Sequence, residues 1–144
     1  MENLLISACL LGVRCRYDGE SCPNLAVEAL MERYNLIPIC PEQLGGLSTP
    51  RTPSERVDGA VKMKTGEDVT QAYLRGAEQA LHLAKLFSCS KAVLKERSPS
   101  CGSGEIYDGT FTGTLVPGDG VTAELLRHNG VAVYGESEIW DLLE

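Results

Sequence analysis

The sequence predicts an α/β fold built on a short parallel sheet. Three observations predict it. Four short apolar runs, at residues 4–8, 36–39, 91–94 and 131–134, have strand length and the apolar character of strands covered on both faces. Helical patterns alternate with these runs, and parallel strands need such crossovers. Tight-turn signals elsewhere mark small β-hairpins. Together they describe a three-layer, Rossmann-like arrangement with strand order about 2-1-3-4.

The first run ends at Cys9 and is followed by a polar, turn-rich stretch over 12–23. A helix then starts near Pro23, with Val27, Leu30, Met31 and Tyr34 on one face. The second run ends on Cys40-Pro41. Residues 42–66 read as loop, with Gly45-Gly46, Pro50 and Pro53. Within them, Val57-Asp58-Gly59-Ala60 predicts a tight hairpin turn.

The longest helix is predicted over 69–87. Val69, Ala72, Tyr73, Gly76, Ala77, Ala80, Leu81, Ala84 and Phe87 recur at spacings of three and four. The small members of that stripe would let the helix lie close to a sheet. After the third run, Asp108-Gly109 predicts a second hairpin. Thr122 is placed to cap a short helix that Gly130 ends, and Ser137 to cap a last one.

The 144 residues suit one domain spanning 1–144, and 43% hydrophobic content suffices for its core. A net charge of −7 weighs against a nucleic-acid partner, which needs cations to displace phosphate counterions. No apolar run is long enough to span a bilayer, so no membrane role is expected. The N-terminus has no basic leader and reads as a strand. A cytoplasmic location is expected. The sequence leaves the oligomeric state open.

Six cysteines in a reducing compartment point to metal ligands, reactive thiols or small buried residues. Their positions discriminate. Cys9 follows the first strand, Cys40 the second, and Cys101 the third after a short loop. Carboxyl ends of parallel strands share one edge, where ligands bind. The three thiols would meet there. Converging thiolates repel unless a cation joins them, so a metal centre is expected. The bland alternative is three unrelated core cysteines. Zinc-ribbon and ferredoxin spacings are absent, so spacing alone leaves the metal open.

Cys89 reads as core, and Cys15 and Cys22 as loop residues with a possible supporting role. Glu42 stands two residues after Cys40. A carboxyl near a metal can handle protons, and the Ser98 or Ser100 hydroxyl before Cys101 can relay one. Arg16 and Asp18, in the loop after Cys9, are possible substrate contacts. Without a metal, Ser98-Pro99-Ser100 merely shapes a turn and Glu42 merely solvates a loop.

Several motifs resemble one family in the same order. They are Ser7-Ala-Cys-Leu-Leu-Gly12, Cys15-Arg-Tyr-Asp-Gly19, Cys40-Pro-Glu-Gln-Leu-Gly-Gly46 and Pro50-Arg-Thr-Pro53. Gly66-Glu-Asp-Val-Thr70, Lys95-Glu-Arg-Ser-Pro-Ser-Cys-Gly102 and Tyr107-Asp-Gly109 continue the series. Together they resemble the DUF523 family, whose characterised members are thiouracil desulfurases.

The resemblance implies a [4Fe-4S] cluster held by Cys9, Cys40 and Cys101, with one iron open to thiocarbonyl sulfur. It implies Glu42 and Ser98 as the catalytic pair. The implied reaction converts 2-thiouracil, a small-molecule thiopyrimidine, to uracil and hydrosulfide without net electron transfer. Two rivals stand beside it. One is a non-catalytic zinc- or iron-binding protein, or an Fe–S store or sensor. The other is an Fe–S enzyme for another thiolated substrate, such as a thionucleoside.

Overall fold

The computed structural model describes all 144 residues. Its sheet contains four strands: β1 (Glu2–Ser7), β2 (Tyr34–Ile39), β5 (Lys91–Leu94) and β8 (Ala132–Gly135). The order is β2-β1-β5-β8 and every pairing is parallel, as the alternation predicted. Pro38 is accommodated because β2 is an edge strand, paired on one side only.

Side chains alternate across the sheet and divide the core. Leu4, Ile6 and Val93 pack with helices α1 (Val27–Met31) and α5 (Ile139–Leu143) on one face. Leu5, Ala92 and Leu94 pack on the other with α3 (Thr70–Leu86) and α4 (Val121–His128). Three layers result. No helix is long and apolar enough to cross a membrane.

Two antiparallel ribbons lie outside this sheet. The first joins β3 (Ser54–Val57) to β4 (Ala60–Met63), and the second joins β6 (Glu105–Tyr107) to β7 (Leu115–Pro117). Asp58 and Gly59 both have positive φ, at 49° and 79°, as the predicted tight turn requires.

Several local readings need correction. Ala8 belongs to a 3-10 turn, Ala8–Leu11, not to β1, whereas Cys9 follows the strand as expected. Helix α1 is short and leaves Met31 exposed, while Tyr34 enters β2 to pair with Glu2. Residues 42–66 are not all loop, since Pro41–Leu44 forms helix α2 with Pro41 in its first turn. Phe87 lies beyond α3 and is largely exposed.

The hairpin expected around Asp108-Gly109 is present as β6 and β7, with a longer connection than a tight turn. The whole segment 108–114 separates β6 from β7, because Glu55 takes the N–H groups of Gly109 and Phe111. Thr122 does not cap α4, because its hydroxyl pairs with buried Ser100. Gly120 holds the cap position, where a Cβ would strike the Ser100 backbone. Ser137 lies in a 3-10 turn, Glu136–Glu138, and donates to Glu96 Oε2 at 2.5 Å.

The small-residue stripe of α3 serves two neighbours. Ala80 and Ala84 meet the sheet, as expected. Gly76 instead faces α2, where a Cβ would run into the Pro41 carbonyl. Gly45 reciprocates against Ala72. That close approach fixes α2, and with it Cys40 and Glu42, beneath the end of β2.

Candidate active site

The carboxyl edge of the sheet opens into a cavity of about 470 Å³. Its wall includes Cys9, Cys15, Cys40 and Cys101, together with Glu42 and Ser98. Each thiol arrives by a different route. The 3-10 turn after β1 carries Cys9, and its carbonyl accepts from Gly12 N at 3.2 Å and Cys22 N at 2.9 Å. Cys40 is the N-cap residue of α2.

Cys101 sits in the loop after β5, tied to the start of α4 by backbone bonds. Val121 N donates to Pro99 O at 2.8 Å, and Thr122 N to Ser100 O at 2.9 Å. All six cysteines are free thiols.

The thiols are crowded, and ionisation of Cys15, Cys40 and Cys101 is disfavoured. The hydrogen bond from Cys15 raises the Cys40 pKa, aided by burial and the Glu42 carboxylate. Burial, then Glu42, raises Cys101. For Cys15 the Cys40 hydrogen bond lowers the pKa, but the Cys9 hydrogen bond and burial push it up to about 11. Such a group holds thiolates only with a compensating cation.

The donor set is all sulfur, which suits zinc or an iron–sulfur cluster. No three His, Cys, Asp or Glu side chains stand at the spacing of a single ion. A cluster takes each cysteine on a different iron and so accepts wider spacing.

Glu42 is nearly buried, and burial raises its pKa against the pull of Arg51. The Arg51 guanidinium lies 3.5 Å from Glu42 Oε2 and is itself only 4% exposed. It also donates to the Cys15 carbonyl at 3.0 Å, so it ties the first loop to the carboxylate. Ser98 Oγ accepts from Ser100 N and Cys101 N, both at 3.0 Å. With both lone pairs engaged, its own O–H remains as a donor.

The edge thus collects Cys9, Cys40, Cys101, Glu42 and Ser98, and it adds Cys15. Arg16 lines the cavity, with its charge 5.6 Å from the Tyr17 ring centroid. Three sequence candidates fall elsewhere. Asp18 is outside the cavity wall, 3.9 Å from Arg16 and capping the Glu20 N–H. Ser100 is fully buried, with Oγ 2.7 Å from Thr122 Oγ1, and serves the loop. Cys22 contributes a backbone bond only to the Cys9 turn.

Sequence reasoning missed Arg51, Tyr73 and Glu55 in the same wall. Arg51 stood in a quoted motif, and a lone cation between two prolines was the available signal. Tyr73 looked like an ordinary member of the apolar stripe. Nothing local distinguished Glu55.

Comparison with known proteins shows the family. The sequence profile of the 2-thiouracil desulfurase family matches residues 4–138. The chain belongs to the 2-thiouracil desulfurase family.

Two known proteins are similar to this chain. It is 44% identical over 150 residues to "Uncharacterized protein YbbK" of Bacillus subtilis (strain 168), covering 97% of this chain and 99% of that protein. It also resembles the solved structure of a [4Fe-4S]-dependent thiouracil desulfidase, TudS, at 44% identity and a TM-score of 0.93. That superposition covers 99% of this chain and 95% of the other. The desulfurase fold is therefore shared along essentially its full length.

Proposed function

We propose that this chain is a [4Fe-4S]-dependent thiouracil desulfurase. It exchanges the sulfur of 2-thiouracil and related thiolated pyrimidines for oxygen and releases hydrosulfide. The carrying observation is that Cys9, Cys40, Cys101, Glu42 and Ser98 line one cavity. Family membership and the likeness to TudS support the same reading.

Cys9, Cys40 and Cys101 hold the cluster. When bound, a cluster with three cysteines supplies Lewis acidity toward soft sulfur at the iron that lacks one. The chain's own groups do the rest. Glu42 takes a proton from water, a role for a carboxylate whose pKa burial raises while the neighbouring Arg51 cation pulls it back down. The water oxygen bonds to C2 of the pyrimidine as the C–S bond breaks. Ser98 donates its hydroxyl proton to the ring nitrogen or oxygen that gains charge, since backbone N–H groups fill its lone pairs. Sulfur departs as hydrosulfide with one of water's two protons, the other leaves through Glu42, Ser98 recovers its proton as the ring atom gives it up, and no electrons are exchanged.

Residues 1–144 act as one domain in this reading. An acidic chain with a net charge of −7 favours a free thiobase over a nucleic-acid partner. Six free thiols and an oxygen-sensitive cofactor favour the cytoplasm.

The test is turnover by anaerobically reconstituted protein. Uracil and sulfide should form from 2-thiouracil in equal amounts. A protein that binds iron and acid-labile sulfide, yet releases neither product, would be the store or sensor instead.

A further inference from the structure

The cavity has an outer wall that the chemistry above leaves unused. Strand β3 supplies Ser54 and Glu55, and the segment 108–114 supplies Phe111 and Gly113. This segment has two unlike sides. Thr110, Thr112 and Thr114 are exposed, and their hydroxyls form a chain with spacings of 2.6 and 2.8 Å. Asp108 Oδ1 anchors that chain at 2.6 Å from Thr110 Oγ1. Phe111 sits among these threonines, yet it is partly buried and lines the cavity.

Its backbone is unusual as well. Phe111 has φ +58°, a region that residues with bulky side chains rarely adopt. Such a conformation persists only when the surroundings enforce it. Glu55 enforces it. The Glu55 side chain is nearly buried, and Oε1 accepts from Gly109 N at 2.9 Å and Phe111 N at 3.1 Å. Gly109, at φ +96°, packs so closely on Val57 that a Cβ would collide with it. The two ribbons are thereby locked together with one aromatic ring at the cavity.

The other aromatic residues of the wall, Tyr17, Tyr73 and Tyr107, each carry a hydroxyl. Tyr17 also faces the Arg16 cation. Phe111 has no polar atom to satisfy. A pyrimidine is a flat ring whose edge carries the reacting sulfur. Stacking on its face fixes the ring plane and leaves that edge free to meet the thiols.

We infer that Phe111 stacks on the pyrimidine ring of the substrate and that Glu55 is its positioning residue. This rests on the thiopyrimidine reading given above. Phe111 then acts in binding, and neither residue takes part in proton transfer.

The test compares cluster-loaded variants by kinetics and by calorimetric binding of uracil. Phe111→Ala should raise KM for 2-thiouracil about tenfold with kcat unchanged, the scale of one lost base–aromatic stack. Uracil affinity should fall by the same factor, and the visible absorption should stay. Phe111→Tyr should restore both constants. Glu55→Ala should reproduce Phe111→Ala, whereas Glu55→Gln, which keeps a carbonyl acceptor, should behave as the parent.

An unchanged KM in Phe111→Ala overturns the inference, as does a loss confined to kcat or to the cluster's absorption. Failure of the parent protein to desulfurate 2-thiouracil sinks the functional reading instead. The uracil measurement still decides the stack in that case.

Discussion

The two ends of the parallel sheet each bury a cysteine, but they do different things with it. At the amino end, Cys89 lies between α3 and β5, and burial, then Glu2, raises its pKa. Its backbone N–H goes to Ala84 O at 2.8 Å. Around it the polar groups form an ordinary rim, with Ser90 Oγ donating to Glu2 at 2.7 Å and Lys91 3.7 Å from the same carboxylate. At the carboxyl end, four thiols share a wall with a buried carboxylate and a buried guanidinium. Burial is common to both ends, so burial does not mark the site. Convergence does, and parallel topology produces it by delivering every strand's carboxyl end to one edge.

The comparison breaks most visibly at the thiols. Cys9→Ala, Cys40→Ala and Cys101→Ala should each abolish the cluster's visible absorption and all turnover. Cys89→Ala should keep both and lose about 1 kcal/mol of stability, as a small core truncation does. Loss of the cluster in Cys89→Ala, or its full retention in any of the other three, would erase the distinction between the two ends.

A smaller effect is expected at the carboxylate. Glu42→Gln should keep the absorption but lower kcat by about 10²–10⁴, the usual worth of a general base. Full activity in that variant would remove Glu42 from the proton path. Arg51→Met should cost about 3 kcal/mol of stability, because it leaves a buried carboxylate without its cation. The urea midpoint measures this, with an unchanged slope showing that the unfolded state is not what moved.

Much of this arrangement was legible in the sequence because it rests on strand ends. Apolar runs announce buried parallel strands, and the residue after each run marks the shared edge. Cys9, Cys40 and Glu42 could be read that way. Ribbon contacts could not. Glu55 faces Gly109 and Phe111 across more than fifty residues, and no local pattern links a β3 carboxylate to the N–H groups of a distant loop.

Ser100 and Thr122 were misread for the same reason. Each has a respectable local role, one near a ligand and one at a helix start. A long-range pairing between their hydroxyls overrides both. The small stripe of α3 lies between these cases. Its packing on the sheet followed from periodicity, whereas its approach to α2 depends on where the Pro41 carbonyl lies.

The smallest effect tests how the Cys101 loop is held, and it sharpens the contrast between ligand and support. Ser100 and Thr122 are both fully buried, with their hydroxyl oxygens 2.7 Å apart. Ser100→Ala strands the Thr122 hydroxyl, and Thr122→Val strands that of Ser100. Each single change should cost about 1–3 kcal/mol, the desolvation penalty of an unpaired buried group. The double variant strands nothing, so its loss should fall short of the sum by about 0.5–3 kcal/mol.

The cluster's absorption should survive in all three. Cys101 keeps its own backbone bond to Ser98 Oγ, and Ser100 O keeps those from Thr122 N and Ala123 N. Additive losses would mean that the two hydroxyls do not depend on each other. Loss of the cluster in Ser100→Ala would instead place that side chain in the site's own machinery.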